Sequence, residues 1–177
     1  MNDIIVTMNR ENENTMKISF TRLPQNLAEL QSLPEDNFKT PEYACALFVA
    51  LMTNYERDPE ETMKMLDYIN GPNDVSVMDK QFYKDRMVGK NYKAYSFFEG
   101  ATPDNEYTPN TPYTTYVKSN MYTDTNEGYK TFWMKSGGAD NDRQITVRLK
   151  NSNQYWYLNT NGLLSDIRIP SSQDKWN

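Results

Sequence analysis

TPEYACALFVALM, residues 40–52, is the segment from which the architecture follows most directly, because it is apolar nearly all round from Tyr43 to Met52. A helix that lacks a polar face is stable in water only when other elements cover it on several sides. Thr40 suits the N-cap, and Pro41 suits the first helical position, where its missing N–H needs no partner. The segment therefore predicts the central helix of the core.

Shorter helices are predicted on both sides of this segment. Before it, Asn26 opens a capping box ahead of a short leucine-rich helix that ends before Pro34. After it, Asp58 and Ser76 are typical N-cap residues of two further amphipathic helices. A helical turn over residues 92–98 completes the helical layer.

Strand periodicity replaces helical periodicity after Pro112. Four segments show it, and the clearest is Arg143–Lys150, in which Ile145, Val147 and Leu149 alternate with polar residues. Short connections between successive strands predict antiparallel pairing. The four segments are Tyr113–Lys118, Tyr129–Lys135, Arg143–Lys150 and Tyr155–Asn159.

The amino terminus leaves two alternatives open. Met16, Ile18 and Phe20 alternate with polar residues as in a half-buried strand, and residues 4–6 suit a second strand, with an Asn-rich turn over 9–14 between them. The alternative is a peripheral or poorly ordered segment over residues 1–15. In both cases the prediction is a single α+β domain over residues 1–177, with N-terminal helices packed on a C-terminal antiparallel meander.

Composition excludes several classes of function. The 177 residues carry a net charge of −5 and no run of basic residues, which disfavours nucleic-acid binding. Histidine is absent, so serine–histidine–aspartate triads and histidine-based zinc sites are excluded, and we expect no metal and no cofactor. Neither a membrane span nor a signal peptide is recognisable. A single cysteine, Cys45, cannot form an intrachain disulfide, which favours a cytoplasmic location.

The most polar and glycine-rich connection lies over residues 137–143, between two predicted strands. One interpretation is a loop that presents Asp140 and Arg143 at the mouth of a pocket, with glycines that allow close backbone approach. The other is an ordinary hairpin connection built from turn-forming residues, and this interpretation is preferred.

Two charged residues outside that connection are also candidates for ligand binding. Glu99 lies where the helices meet the sheet, where it could act as a general base or accept hydrogen bonds from its own loop. Arg86 shares a helix face with Phe82, where it could bind a ligand carboxylate or form a structural ion pair, which is the preferred interpretation.

Tyrosines are concentrated in the second half of the chain, and Tyr113 and Tyr129 are the candidates there for contact with a ligand. Tyrosine is favoured at binding surfaces, but in a chain with few aliphatic residues it also fills the core. Cys45 lies within the apolar central helix, so we interpret it as a buried packing residue rather than a reactive thiol.

Five segments taken together resemble an uncharacterised family catalogued as a domain of unknown function, found mainly in Gram-positive anaerobic bacteria. The resemblance covers roughly Ile18 to Pro170 and implies no activity. A looser architectural likeness links the helices and meander to nuclear-transport-factor-like and cystatin-like folds, which host several kinds of function. The five segments are TPEYACALFVALM (40–52), MLDYINGP (65–72), DKQFYKDRM (79–87), FFEGATPDNEYTP (97–109) and SGGADNDRQITVRLK (136–150).

Two functional hypotheses remain from the sequence. The preferred one is a non-catalytic binding or interaction module that contacts a protein or peptide, because no catalytic residues are recognisable. The alternative is a small-ligand-binding or carboxylate-based enzyme domain with a pocket between the central helix and the sheet. Its candidate lining residues are Arg86, Glu99, Asp140 and Arg143, with Tyr113 or Tyr129.

Overall fold

One antiparallel sheet organises the computed structural model, which describes residues 3–177. Its six strands are neighbours in the order in which they occur in the chain, so the sheet is a continuous meander. This confirms the predicted α+β class and shows that the N-terminal hairpin joins the same sheet. The strands are β1 (Val6–Asn12), β2 (Thr15–Phe20), β3 (Tyr113–Lys118), β4 (Tyr129–Met134), β5 (Arg143–Lys150) and β6 (Tyr155–Asn161).

All α-helices of the described residues lie between β2 and β3 in the chain. Antiparallel pairing of β2 with β3 therefore brings together residues separated by the whole helical layer, such as Ile18 and Thr115. The predicted order of helices and then strands holds only after β2. The helices are α1 (Leu27–Gln31), α2 (Pro41–Met52), α3 (Pro59–Ile69), α4 (Val77–Met87) and α5 (Tyr92–Tyr95), with 3₁₀ turns at Glu35–Lys39, Pro103–Asn105 and Ser171–Gln173.

Helix α2 is the centre of the core, as its apolar circumference predicts. Every residue from Glu42 to Met52 is buried. The sheet covers one side of α2, while α3, α5 and the 3₁₀ turn before α2 cover the others. Burying a leucine or phenylalanine side chain contributes about 1.5–3 kcal/mol, so α2 supplies much of the hydrophobic stabilisation of the fold.

Side-chain caps start α1, α3 and α4 where the sequence predicts them. Asn26 Oδ1 accepts a hydrogen bond from the Glu29 N–H at 2.8 Å, and Asp58 Oδ1 accepts one from the Glu61 N–H at 3.1 Å. Ser76 caps α4 in the same way. These bonds satisfy N–H groups that a helix start leaves without partners.

The inner face of the sheet follows the predicted alternation. Ile18, Phe20, Ile145 and Val147 are fully buried. Leu149 is only half-buried because it pairs with Trp156 next to the turn between β5 and β6. After β6 the chain docks Leu163, Leu164 and Ile167 into the core, also as predicted. Over residues 3–177, no helix combines the length and the apolar character that a membrane span requires.

Candidate functional site

The predicted site residues do not converge on one pocket. Arg86 lies on α4 with its guanidinium 5.0 Å from the centre of the Phe82 ring. Glu99 accepts a hydrogen bond from the Tyr116 hydroxyl at 3.2 Å, and its backbone N–H and carbonyl are both bound. Tyr129 lies beside the Arg148 guanidinium, 5.4 Å from its central carbon.

Asp140 and Arg143 lie close together, but both hold the C-terminal segment. The Arg143 guanidinium donates to the backbone carbonyls of Ser165 and Asp166 at 3.1 and 3.2 Å. Asp140 forms an exposed ion pair with Arg168 at 3.0 Å. These contacts give both residues a structural role and agree with the preferred interpretation of this connection.

The two glycines of the same connection are explained by close packing. A Cβ atom on Gly137 would lie 2.0 Å from the Ala101 carbonyl oxygen, and one on Gly138 would lie 2.1 Å from the Tyr107 hydroxyl. Ser136 Oγ donates to Ser96 Oγ at 2.8 Å and accepts from the Gly138 N–H at 3.0 Å. We call this the Ser136–Gly138 junction, and it ties β4 to the chain around α5.

Tyr107 completes the Ser136–Gly138 junction. Its ring stacks on Tyr92 at 5.4 Å between ring centres, and its hydroxyl donates to the Arg168 carbonyl. Burial raises the pKa of Tyr107 to about 12, so the hydroxyl keeps its proton and its hydrogen bond at neutral pH.

Tyr113 lines a pocket of about 440 Å³ at the C-terminal end of α2. The polar groups of this pocket largely bind one another. Arg57 donates to Asn54 Oδ1 and to the Gln25 carbonyl, each at 2.7 Å. Asn91 donates to the Thr53 carbonyl, while its Oδ1 has no partner within residues 3–177. An amide oxygen without a partner is a weaker indication of a ligand than a charged one.

A second pocket lies at the N-terminal end of α2, between the helix and the sheet, and we call it the α2 N-terminal pocket. Its volume is about 340 Å³, near the lower end of the range of roughly 300–1,000 Å³ for ligand sites. Residues that are far apart in the sequence, from Arg10 to Phe132, meet here. The lining residues are Arg10, Met16, Lys39, Thr40, Pro41, Glu42, Ser119, Thr123, Asp124, Lys130 and Phe132.

Glu42 is the unusual residue of this pocket. Its side chain is only 6% exposed, although it belongs to the first turn of α2. Oε2 accepts a hydrogen bond from Arg10 at 3.1 Å, whereas Oε1 is buried and has no partner among the described residues. A buried carboxylate oxygen without a donor is unfavourable by about 1–3 kcal/mol or more, so the position requires an explanation.

Cationic side chains surround Glu42. Arg10 reaches it from β1, and Lys39 and Lys130 line the same pocket. Lys130 forms an ion pair with Asp124 and lies over the Trp156 ring, with Nζ 5.5 Å from the ring centre. The N-terminus of α2 adds positive potential, and Thr40 makes no side-chain capping bond there within residues 3–177.

The sequence analysis missed this pocket for identifiable reasons. Residues 9–14 were predicted to be a turn, but β1 continues to Asn12, and the regular register of the hairpin places Arg10 opposite Met16, on the inner face. Glu42 resembles an ordinary first-turn acid. The available signal was its position in the first turn of a helix that is otherwise apolar on all sides, because such a helix buries its first turn as well.

Residues 22–171 match the family described as Domain of unknown function (DUF6935). The matched range includes Glu42, Asp124 and Lys130 of the α2 N-terminal pocket, whereas Arg10 precedes it. No curated protein and no solved structure matches the chain.

Proposed function

The chain belongs to the DUF6935 family of domains of unknown function, and from its own geometry we propose that it binds a small polar ligand in the α2 N-terminal pocket. The single observation that carries this proposal is the buried Glu42 Oε1 without a hydrogen-bond donor. Most buried polar atoms in proteins have a partner, so a buried charged atom without one requires an explanation. A ligand that donates a hydrogen bond would supply a partner.

The construction of the pocket supports binding. Polar side chains reach it from β1, from the start of α2 and from β4 with its preceding connection. Phe132 and Met16, both buried, provide apolar surface beneath them. A few convergent polar groups above an apolar floor are typical of small-molecule sites.

Binding without catalysis is the simplest function for this set of residues. Catalysis by two carboxylates depends on environments that separate their protonation states. Asp124, the other carboxylate of the lining, is largely exposed and paired with Lys130. This proposal shares with the alternative hypothesis from the sequence a ligand pocket between the central helix and the sheet, but none of the lining residues predicted for that hypothesis lines this pocket.

A matched pair of variants tests this proposal. Glu42 and Glu60 each follow the proline that opens a helix, but Glu60 is exposed on α3. Thermal unfolding of the full chain is measured against a library of hydroxy acids, sugars, amino acids and amines. We expect at least one compound, at saturating concentration, to raise the midpoint of the wild type and of Glu60→Gln by roughly 5 °C. It should not raise that of Glu42→Gln.

Circular dichroism controls for folding of Glu42→Gln, and Lys130→Gln provides a second variant from the same pocket. The proposal fails if no compound acts on the wild type, or if every active compound acts equally on folded Glu42→Gln and Lys130→Gln. Either result would leave Glu42 as a purely structural partner of Arg10.

Exposed apolar side chains on α4 favour a second candidate function, the interaction module preferred from the sequence. Val77 and Met78 are 86% and 80% exposed at the start of α4, and Val88 is 58% exposed directly after it. Val77 and Met78 are adjacent, and contiguous exposed apolar surface is typical of protein contacts. We infer that α4 would carry such a contact. A pull-down with the wild type should then retain a protein that Met78→Glu loses, and equal recovery by both would exclude α4.

Cytoplasmic location and likeness to nuclear-transport-factor-like or cystatin-like folds stay predictions. The single buried cysteine supports the first, and the helix α2 covered by a meander supports the second.

A further inference from the structure

The charge balance of the α2 N-terminal pocket limits the kind of ligand it fits. Each cation of the lining has a carboxylate partner, because Arg10 is paired with Glu42, Lys130 with Asp124, and Lys39 with Asp36 at 3.7 Å. The N-terminus of α2 adds roughly half a positive charge. Since these ion pairs balance, the positive potential of the pocket comes from the N-terminus of α2, and on a chain whose net charge is −5 an anionic group is favoured next to it.

The hydrogen-bond donor that Glu42 Oε1 requires should itself be uncharged. An ammonium group at that oxygen would lie close to the Arg10 guanidinium, which already binds Oε2 at 3.1 Å. It would also approach the positive end of α2, and both contacts are repulsive. A hydroxyl group donates equally well without adding positive charge.

Other lining groups suit additional hydroxyls. Thr123 Oγ1 accepts a hydrogen bond from the Asn120 N–H at 2.9 Å, which leaves its own proton for an acceptor on a ligand. Lys130 contacts Asp124 and the Trp156 ring, and an ammonium has three donors, so it can also bind an anion. The lining thus combines a place for an anion with places for hydroxyls.

We infer that the α2 N-terminal pocket binds a small hydroxylated anion, such as a sugar acid or a sugar phosphate. A hydroxyl donates to Glu42 Oε1, and the anionic group lies among Arg10, Lys39 and Lys130. This inference rests on the proposed function and specifies the chemistry of its ligand.

Three probes with matched carbon chains test the inference. Gluconate carries a carboxylate and hydroxyls, sorbitol carries hydroxyls alone, and hexanoate carries a carboxylate alone. Isothermal titration calorimetry of the full chain at low ionic strength measures all three. We expect gluconate to bind about tenfold or more tightly than either partial probe, because each lost charge-assisted hydrogen bond weakens binding by about that factor. Glucose 6-phosphate and glucose form a second pair. Comparing the affinity of glucose 6-phosphate with that of gluconate shows whether the pocket prefers phosphate to carboxylate.

Variants assign the two halves of the recognition. Glu42→Gln should remove most of the advantage of gluconate over hexanoate, and Lys130→Gln most of its advantage over sorbitol. Lys64→Gln is the control, since Lys64 is an exposed residue of α3 paired with Glu61. Added salt should weaken the binding of gluconate and leave the binding of sorbitol unchanged.

The outcomes separate this inference from the proposed function. Equal binding of sorbitol and gluconate, or of hexanoate and gluconate, overturns the inference when the binding still depends on Glu42, and the pocket remains a ligand site. Glu42-dependent binding of an amine with no binding of either anion has the same meaning. If no probe and no library compound binds in a Glu42-dependent manner, both the inference and the proposed function are wrong.

Discussion

The Ser136–Gly138 junction and the α2 N-terminal pocket are two places where polar groups gather against the core, and they are built in opposite ways. At the junction, hydroxyl and backbone groups satisfy one another, and the glycines leave no space for even a Cβ atom. At the pocket, about 340 Å³ is open and a buried carboxylate oxygen has no donor from residues 3–177.

The difference teaches which kind of sequence feature indicates a ligand. SGGADNDR, residues 136–143, is the most conspicuous polar segment of the chain, and the structure uses it to join β4, α5 and the C-terminal segment. Glu42 is a single acid in the first turn of an otherwise apolar helix. A saturated network stabilises the fold, whereas an unsaturated buried charge has a role that the fold alone does not explain.

The largest effect is expected from a variant that disrupts the Ser136–Gly138 junction. In Gly138→Ala the new methyl group would lie 2.1 Å from the Tyr107 hydroxyl and 2.9 Å from Ile167 Cγ2. Tyr107 is fully buried, so neither neighbour has space to move. We expect a loss of about 3 kcal/mol in the free energy of unfolding, the upper end of typical overpacking, measured by urea denaturation.

Gly162→Ala is the matched control, because the nearest atom to its Cβ would be the Gln144 carbonyl oxygen at 3.8 Å. This variant should stay within about 0.5 kcal/mol of the wild type. If Gly138→Ala were equally mild, the junction would be looser than its contacts indicate, and the contrast with the pocket would disappear.

A smaller effect is expected at the pocket when Arg10 is replaced. Arg10→Gln leaves Glu42 buried with neither oxygen paired to a cation, which should lower the free energy of unfolding by about 2 kcal/mol. This is less than for a fully buried ion pair, because the Arg10 side chain is 47% exposed. The measurement is again urea denaturation, with Lys64→Gln as an exposed ion-pair control.

The double variant Arg10→Gln/Glu42→Gln sharpens this result. Replacing the carboxylate by a neutral amide removes the charge that Arg10 no longer balances, so the double variant should be more stable than Arg10→Gln alone. Additive losses would show that Arg10 and Glu42 do not interact in solution, and the pocket would lose its defining contact.

Much of the fold could be predicted because its elements follow local rules. The apolar circumference of α2, the caps at Asn26, Asp58 and Ser76, and the alternation in β5 each depend on residues close together in the chain. The pairing of β2 with β3 across the helical segment could not be predicted in the same way, since strand order depends on pairing between distant segments.

The candidate site could not be predicted because it depends on tertiary placement. TPE at 40–42 and DPE at 58–60 start helices in nearly the same way. Yet Glu42 is buried against β1, while Glu60 is exposed. Arg10 faces Glu42 because the hairpin pairs it with Met16, in the same register that pairs Val6 with Phe20. The helix starts alone do not distinguish the two glutamates; the local difference is the apolar circumference of α2, which requires the rest of the fold to cover its first turn as well.

The smallest effect is expected from variants at these same two helix starts. Asp58 accepts a hydrogen bond from the Glu61 N–H at 3.1 Å, so Asp58→Ala should lower the free energy of unfolding by about 1 kcal/mol. Thr40 makes no such bond within the described chain, so Thr40→Ala should change it by less than about 0.5 kcal/mol. Urea denaturation of both variants measures the difference. Equal losses would mean that Thr40 caps α2 in solution, and the N-terminus of α2 would then be less available to an anion in the pocket.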